Sequence, residues 1–287
     1  MDFQLFSQLV LYGLVLGSVY ALVAVGLSIS FGVLDVLNGG HGVFFMAGGY
    51  VTFYLMTLLG MPYLLTLPLA GVTAAILGIV CERIAVARLR TRPGAVLIAT
   101  FCFAVLAESI LSASVGNSAR EVQTSLNTQF VTMNGVLLSY QRLLIVGVTL
   151  ILFAAVHVLI KHSTIGLAMR VVARDISTAS LMGINVRRVY IATFAISAFL
   201  AGVGGALVVP IFAAEPTTWV FGLLKAFVVV ILGGMGSIVG ALVGGLFLGV
   251  TESFGAAYFS GFKEGVGLGL LILILLFRPQ GLFGHAK

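Results

Sequence analysis

The sequence predicts an all-α polytopic membrane protein with eight or nine transmembrane helices, some of them broken or re-entrant. Of its 287 residues, 60% are hydrophobic and 8% are charged, and the mean hydropathy is +1.19. Soluble domains carry about 25% charged residues, so this chain has too few charges to cover a globule in water. A bilayer span needs roughly 20 apolar residues, and about eight spans fit this length. The composition therefore excludes a soluble enzyme, a nucleic-acid-binding domain and a disordered chain.

Nine apolar stretches follow one another along the chain. We place them at about 5–33, 42–60, 62–82, 94–115, 142–160, 189–213, 219–234, 236–254 and 264–277. Backbone polar groups in lipid must be satisfied within their own segment, so we predict helices rather than strands. Glycines interrupt the pattern at Asn38–Gly42 and Gly233–Ser237, and these are the predicted helix breaks.

Basic residues cluster in three regions, which the positive-inside rule places in the cytoplasm. They are Arg83, Arg88, Arg90 and Arg92 in one loop, Lys161, Arg170, Arg174, Arg187 and Arg188 in a second, and Arg278 and Lys287 near the C-terminus. The loop at about 116–141 is poor in charge and is predicted to be external, with the N-terminus on the same side. Residues 1–287 are thus predicted to form a single transmembrane domain with a cytoplasmic loop at about 162–188 and a cytoplasmic C-terminus.

Glycines four residues apart recur in the apolar stretches. The pairs are Gly13 with Gly17, Gly240 with Gly244, Gly245 with Gly249, and Gly265 with Gly269. Small residues at this spacing let two helix backbones approach closely, so we expect these pairs to serve helix packing.

The longest cytoplasmic loop contains the signal of a short helix. Asp175 suits a helix N-cap through its carboxylate, and Gly183 suits the left-handed position that ends a helix. Between them Ile176, Ala179 and Met182 recur at helical spacing and form a small apolar face. This pattern allows two interpretations, an interfacial linker against lipid headgroups or a docking knob for a cytoplasmic partner.

Polar residues inside the apolar stretches are candidate pathway residues, because ionisable groups in spans are costly and usually face a bundle interior or a cavity. Glu108 lies in the middle of a span, and its role is open at this point. It lines a pathway or forms a hydrogen bond to another span, or it is a protonated carboxyl group or one at the membrane interface. Glu252 lies near a span end, where a solvated position is expected.

Helix breaks expose amide groups and a positive dipole end, which suit a carboxylate ligand. Asn38 and His41 could instead only satisfy the exposed backbone at their break. The candidate substrate-pathway residues are Asn38, Gly40, His41, Gly42, Glu108, Gly233, Gly234 and Gly236.

Motifs of several common enzyme classes are missing from the sequence. It has no G-x-x-x-x-G-K-[ST] phosphate loop, no H-E-x-x-H, no C-x-x-C and no G-x-S-x-G. The sequence therefore predicts no catalytic residue, no metal site and no bound cofactor on this chain.

Four sequence blocks stand in a specific order. They are FGVLDVLNGGHGVFFMAGGYV at 31–51, GLAMRVVARD followed by ASLMGIN within 166–185, LGGMGSIVGALVGG at 232–245 and FRPQGLFG at 277–284. Together they resemble the branched-chain amino-acid permease family of ABC importers, and the length resembles the shorter H-type subunit. Gly40, Val43 and Val239 depart from the family pattern, in which Ala, Glu and Pro are common.

The resemblance implies a permease subunit of an ATP-driven importer for branched-chain or related amino acids, in the bacterial cytoplasmic (inner) membrane. Its implied partners are a second permease of the longer M-type, two cytoplasmic ATPases that bind ATP and magnesium, an extracytoplasmic binding protein and membrane lipid, with no nucleic acid. The implied ATPase-coupling residues are Gly166, Arg170, Ala173, Asp175, Ala179 and Gly183, whose small members would allow close docking. The alternative is a stand-alone secondary transporter or a channel for a small polar solute, since such proteins also use broken helices.

Overall fold

The structure is a computed structural model that describes residues 3–133, 136–258, 263–278 and 280–284. Lys287, one of the basic residues predicted near a cytoplasmic C-terminus, lies outside the described residues. In chain order the elements are α1 (Phe3–Leu34), α2 (His41–Leu59), α3 (Tyr63–Cys81), α4 (Pro93–Val115), α5 (Ser125–Thr128), β1 (Phe130–Met133), β2 (Val136–Ser139), α6 (Tyr140–His162), α7 (Thr164–Arg174), α8 (Ile176–Leu181), α9 (Val186–Val208), α10 (Thr218–Gly233), α11 (Ile238–Tyr258) and α12 (Lys263–Phe277). A π-helical turn, Glu82–Val86, extends α3.

Seven helices in the described ranges are long and apolar enough to cross a bilayer: α1, α2, α3 with its π turn, α4, α6, α9 and α11. Two shorter apolar helices, α10 and α12, bring the number in this part of the chain to nine. The predicted polytopic α-helical fold is therefore confirmed. The predicted stretch 189–213 is too long, because α9 ends at Val208 ahead of Pro210, which has no amide hydrogen to donate within a helix.

The centre of the bundle is formed by α1 and α9. In the 18-residue apolar segment of each of these two helices, 72% is buried, whereas the corresponding share in α4 and in α6 is 17%. α1 packs against α11, α9, α10 and α6, while α9 also packs against α2 and α3. α4 and α6 lie at the rim and expose large apolar side chains such as Ile98, Ile110 and Ile151. A rim of this kind suits contact with lipid or with another membrane subunit.

Glycines bring α1 and α11 into backbone contact. A β-carbon on Gly17 would lie 2.7 Å from the carbonyl oxygen of Gly245, and one on Gly13 would lie 2.5 Å from the Cα of Val250. A β-carbon on Gly249 would overlap the backbone of Gly17. Two of the predicted glycine pairs therefore face each other, and their packing role is confirmed.

The segment between α4 and α6 has local structure that hydropathy did not predict. β1 and β2 form an antiparallel hairpin in which Phe130 pairs with Ser139. Ahead of the hairpin, Arg120 and Ala214 exchange two backbone hydrogen bonds of 2.9 Å. The segment is thereby attached to the connection between α9 and α10.

Candidate functional site

The predicted break Asn38–Gly42 is confirmed between α1 and α2, although it lies at residues 35–40, so that His41 and Gly42 already belong to α2. Asn38 and His41 are fully buried. The Asn38 side-chain oxygen accepts a hydrogen bond from the Gly40 amide (2.9 Å), and His41 Nε2 lies 2.9 Å from the carbonyl oxygen of Val23. Both side chains therefore interact with backbone groups, Asn38 at the break itself and His41 in the middle of α1. A role for this break in substrate passage stays a prediction.

Trp219 on α10 joins this break to Glu108 on α4. A β-carbon on Gly42 would overlap the carbonyl oxygen of Trp219, so α10 touches the start of α2 at backbone level. Trp219 Nε1 donates a hydrogen bond to Glu108 Oε2 (2.6 Å). Glu108 thus makes an interspan hydrogen bond, which is one of the roles predicted for it.

The second predicted break, Gly233–Ser237, is confirmed between α10 and α11. Gly234 and Gly236 have φ angles of +100° and +82°, where a residue with a side chain is strained. The C-terminal segment returns to this break, and the amide of Phe283 donates to the carbonyl oxygen of Gly233 (3.0 Å). These contacts give the glycines a packing role, and their part in substrate passage stays a prediction.

A buried ion pair that the sequence reasoning missed connects α10 to α11. Lys225 Nζ lies 2.5 Å from Glu252 Oε1, and the two side chains are 11% and 1% exposed. The hydroxyl of Tyr20 on α1 donates a hydrogen bond to Glu252 Oε2 (2.9 Å). The solvated position expected for Glu252 is therefore wrong. α11 runs on to Tyr258, and α12 packs over the carboxylate.

A signal for Lys225 is present in the sequence. It is the single charged residue of α10, TWVFGLLKAFVVVILG. The cost of a charge inside a span, which identified Glu108 as a candidate, applies equally to a lysine. Its partner follows from no local pattern, because Glu252 lies 27 positions away on another helix.

Two cavities lie in this region, and the ion pair lines the smaller of them. The larger, of about 350 Å³, is bounded by α1, α2, α9, α10 and the α9–α10 connection, and its lining includes Tyr20, Phe45, Gly205, Glu215, Thr218 and Phe221. The smaller, of about 240 Å³, lies between α10 and α12, and both Lys225 and Glu252 line it. Phe221 borders both cavities. The eight predicted pathway residues, all within the described chain, line neither of these two cavities.

The six predicted coupling residues lie on α7, on α8 and at their ends. The Asp175 carboxylate caps α8, because it accepts hydrogen bonds from the Ser177 amide (2.9 Å) and from the Thr178 hydroxyl. Gly183 has a φ of +79° just beyond the end of α8. The predicted cap and the predicted left-handed glycine are both confirmed.

The six residues differ in exposure. Arg170, Ala173, Asp175 and Gly183 are exposed, whereas Gly166 and Ala179 are buried. A β-carbon on Gly166 would overlap the end of α6, and α8 packs against α9. The small size of Gly166 and Ala179 thus serves packing within this chain, and their part in coupling stays a prediction.

The predicted apolar face of α8 is wrong in one member. Ile176 and Met182 are 52% and 69% exposed, but Ala179 is completely buried on the side where α8 packs against α7 and α9. Leu181, at 89% exposed, joins the exposed set instead. We call the exposed residues Ile176, Leu181 and Met182 the knob.

Acidification should loosen α8. The Thr178 hydroxyl and the Ser177 amide hold the pKa of the Asp175 carboxyl below its usual value. Because the folded pKa lies below the unfolded value of about 3.9, the cap stabilises α8 fully above that value and is lost as the pH falls through the folded pKa. We expect the hydrogen-exchange protection factors of the α8 amides to be constant near neutral pH and to fall below about pH 4.

An Asp175→Asn variant is the matched control for this measurement, since asparagine also caps helices but does not titrate in this range. Its protection should not change with acidification. Equal acid sensitivity in Asp175→Asn would show that another group causes the change.

Comparison with known proteins places the chain in a family. Residues 9–276 match the family model described as branched-chain amino acid transport system / permease component. The chain belongs to this family. It is 36% identical to the high-affinity branched-chain amino acid transport system permease protein BraD of Pseudomonas aeruginosa, over 98% of this chain and 97% of BraD. It is 34% identical to the corresponding protein LivH of Salmonella typhimurium, over 100% of this chain and 98% of LivH.

A more distant relative is the permease protein LivM of Escherichia coli, which is 26% identical over 92% of this chain and 67% of LivM. No solved structure matches this chain. Membership of this family confirms the resemblance seen in the four sequence blocks. Together with the apolar helices it shows that the chain is a multi-pass membrane permease component. It favours a transport-system subunit over a stand-alone secondary transporter or channel.

Proposed function

We propose that this chain is one of two permease subunits of an ATP-driven importer that carries branched-chain amino acids across the bacterial cytoplasmic membrane. The observation that carries the proposal is the match to the permease family over residues 9–276. BraD and LivH, to which the chain is similar over nearly its full length, are named as permeases of high-affinity branched-chain amino acid systems.

The rest of the importer follows as part of the same proposal. An extracytoplasmic binding protein delivers the amino acid, and two cytoplasmic ATPases bind ATP and magnesium and supply the work. The second permease is a longer M-type chain similar to LivM. The C-terminus and the α7–α8 segment lie in the cytoplasm, as the basic residues around them suggest.

The knob is the proposed contact with an ATPase. Three exposed large apolar side chains on a short, capped helix are unusual in a polar segment and are typical of a protein contact. α7, which precedes the knob, packs against α6, α1 and α9. A movement of the ATPase that displaces the knob would therefore reach both the rim and the centre of the bundle.

Charges on the knob should uncouple the permease from its ATPases. We expect Leu181→Asp combined with Met182→Asp to weaken ATPase binding by at least about tenfold, because loss of a hot-spot side chain from an interface costs about 2 kcal/mol or more. The measurement is co-purification of tagged permease with the two ATPases, together with ATP-dependent leucine uptake into proteoliposomes that contain the binding protein.

Ser180→Asp is the matched control, since it adds a charge to the same helix but leaves the apolar side chains in place. It should retain the ATPases. Undiminished ATPase binding by the double variant would contradict the knob as the contact, and leucine uptake by the permease without ATPases would favour a secondary transporter.

A further inference from the structure

We propose that Lys225 and Glu252 form the recognition site for the two charged groups of the transported amino acid. Lys225 binds the α-carboxylate, and Glu252 binds the α-ammonium. This inference rests on the proposed function, because it takes an amino acid as the substrate, and it adds the residues that hold it. It arises from a buried ion pair that borders a cavity, inside helices that carry no other charge.

The charges of the pair match those of a zwitterion one for one. Opening a buried ion pair normally leaves two uncompensated charges, which is costly away from water. An amino acid that enters between Lys225 and Glu252 removes this cost, because its carboxylate takes the place of Glu252 and its ammonium takes the place of Lys225. The net charge of the site stays zero throughout. A molecule with only one of the two charges leaves one protein charge without a partner, so the pair stays closed to it.

Each member of the pair has a second contact that holds it when the pair opens. Lys225 Nζ lies 5.4 Å from the ring centroid of Tyr20 and 5.5 Å from that of Phe221, within the range of cation–π attraction. Glu252 keeps its hydrogen bond from the Tyr20 hydroxyl. A β-carbon on Gly267 of α12 would lie 2.7 Å from Glu252 Oε1, so the glycine leaves the space that the carboxylate occupies.

Space and apolar surface lie next to both charges. Lys225 and Glu252 line the cavity of about 240 Å³ together with Leu224 and Leu268. A larger cavity of about 350 Å³ lies on the other side of Phe221, and its lining includes Tyr20 and Phe221 but neither charged residue. A pair of opposite charges beside apolar walls is complementary to an amino acid with an aliphatic side chain.

The competing explanation is that the ion pair only stabilises the packing of α10 against α11. Replacing both residues by apolar ones distinguishes this structural role from substrate binding. Replacing a buried ion pair by apolar residues of similar size is often neutral or stabilising, so Lys225→Met with Glu252→Leu should fold and assemble in either case. The matched control is Glu82→Leu with Arg90→Met. It removes a second ion pair with a fully buried carboxylate, and neither residue lines the two cavities.

The experiment uses the complete importer, with both permeases and both ATPases. We measure saturable binding of radiolabelled leucine to the purified complex without binding protein, and ATP-driven leucine uptake with saturating binding protein. We expect leucine binding and uptake by the Lys225→Met/Glu252→Leu importer to fall by at least about tenfold. One hydrogen bond to a charged group changes affinity by about this factor. This variant should still co-purify with both ATPases, and the Glu82→Leu/Arg90→Met control should bind and transport leucine.

Single-charge analogues test the zwitterion directly. Against wild-type importer, isoleucine should compete with labelled leucine. 4-Methylpentanoate, which lacks the ammonium, and 3-methylbutylamine, which lacks the carboxylate, should compete at least about tenfold less well. Effective competition by either analogue, normal leucine binding by the apolar double variant, or no saturable leucine binding by the wild type would overturn the inference.

The same assays separate the two proposals. Absence of ATP-driven leucine uptake by the wild-type importer would contradict the proposed function. Normal wild-type uptake together with normal uptake by the apolar double variant would leave the proposed function standing and remove the role of Lys225 and Glu252.

Discussion

Replacing Glu252 alone by leucine is expected to lower the free energy of unfolding of the permease by about 3–5 kcal/mol, because the Lys225 ammonium then stays buried with no carboxylate beside it. The Tyr20 hydroxyl, which donates to Glu252 in the wild type, also loses this acceptor. The two rings near Lys225 do not replace the carboxylate, since both cation–π contacts are already present in the wild type. The measurement is reversible unfolding of the purified permease in mixed micelles, followed as a function of denaturing detergent.

The double variant Lys225→Met/Glu252→Leu is the control for this prediction. It removes the unpaired ammonium, so most of the stability lost in Glu252→Leu should return. If the double variant were as unstable as the single one, the loss would come from the shape of the leucine side chain rather than from the buried charge. Stability and substrate binding are thus measured on the same residues by independent methods.

Replacing Gly205 by alanine is expected to destabilise the permease by about 1–3 kcal/mol or more, because α2 and α9 cross there without any space between them. A β-carbon on Gly205 would overlap the carbonyl oxygen of Phe45, and one on Gly48 would overlap that of Gly202. Both clashes are with backbone, so no flexible side chain can move aside. Phe45 and Gly205 also line the larger cavity, and a forced separation of the helices would change its shape. The measurement is the thermal midpoint of the purified permease in detergent.

Gly147→Ala on α6 is the matched control, because a β-carbon at that position would meet nothing within 4 Å. Alanine is also the better helix former by about 0.5–1 kcal/mol, so this variant should be as stable as the wild type or slightly more stable. Equal thermal midpoints for Gly205→Ala and Gly147→Ala would mean that the α2–α9 crossing relaxes more easily than its backbone contacts indicate.

Features that depend on a few neighbouring residues were predictable from the sequence. The apolar stretches correspond to the observed helices because the thickness of a bilayer sets the length of a span. The breaks at Asn38–Gly42 and Gly233–Ser237 follow from local glycines, and the cap of α8 follows from the reach of the Asp175 side chain to an amide two residues later. Each of these interactions is complete within one segment of chain.

Some local signals were present and were overlooked. In α7, Gly166, Met169 and Val172 are buried at intervals of three residues, which is the pattern of an amphipathic helix. Lys225 is another such signal, because a charged side chain inside a span is costly and needs a partner. The β1–β2 hairpin also had a signal, since Asn134 and Gly135 separate the short runs FVTM and VLLS, and Asn-Gly between two such runs favours a hairpin.

By itself, the sequence determined the class of protein, the positions of its helices and breaks, and the family, because hydropathy, glycine and capping act over short distances along the chain. Only the tertiary structure decided that Lys225 meets Glu252, that Trp219 meets Glu108, and that Ala179 faces inward while Leu181 faces outward. These contacts depend on which helices cross, on where along their length they cross, and on which face each helix turns towards the other. Such choices are set by packing of the whole bundle, so no segment contains them alone.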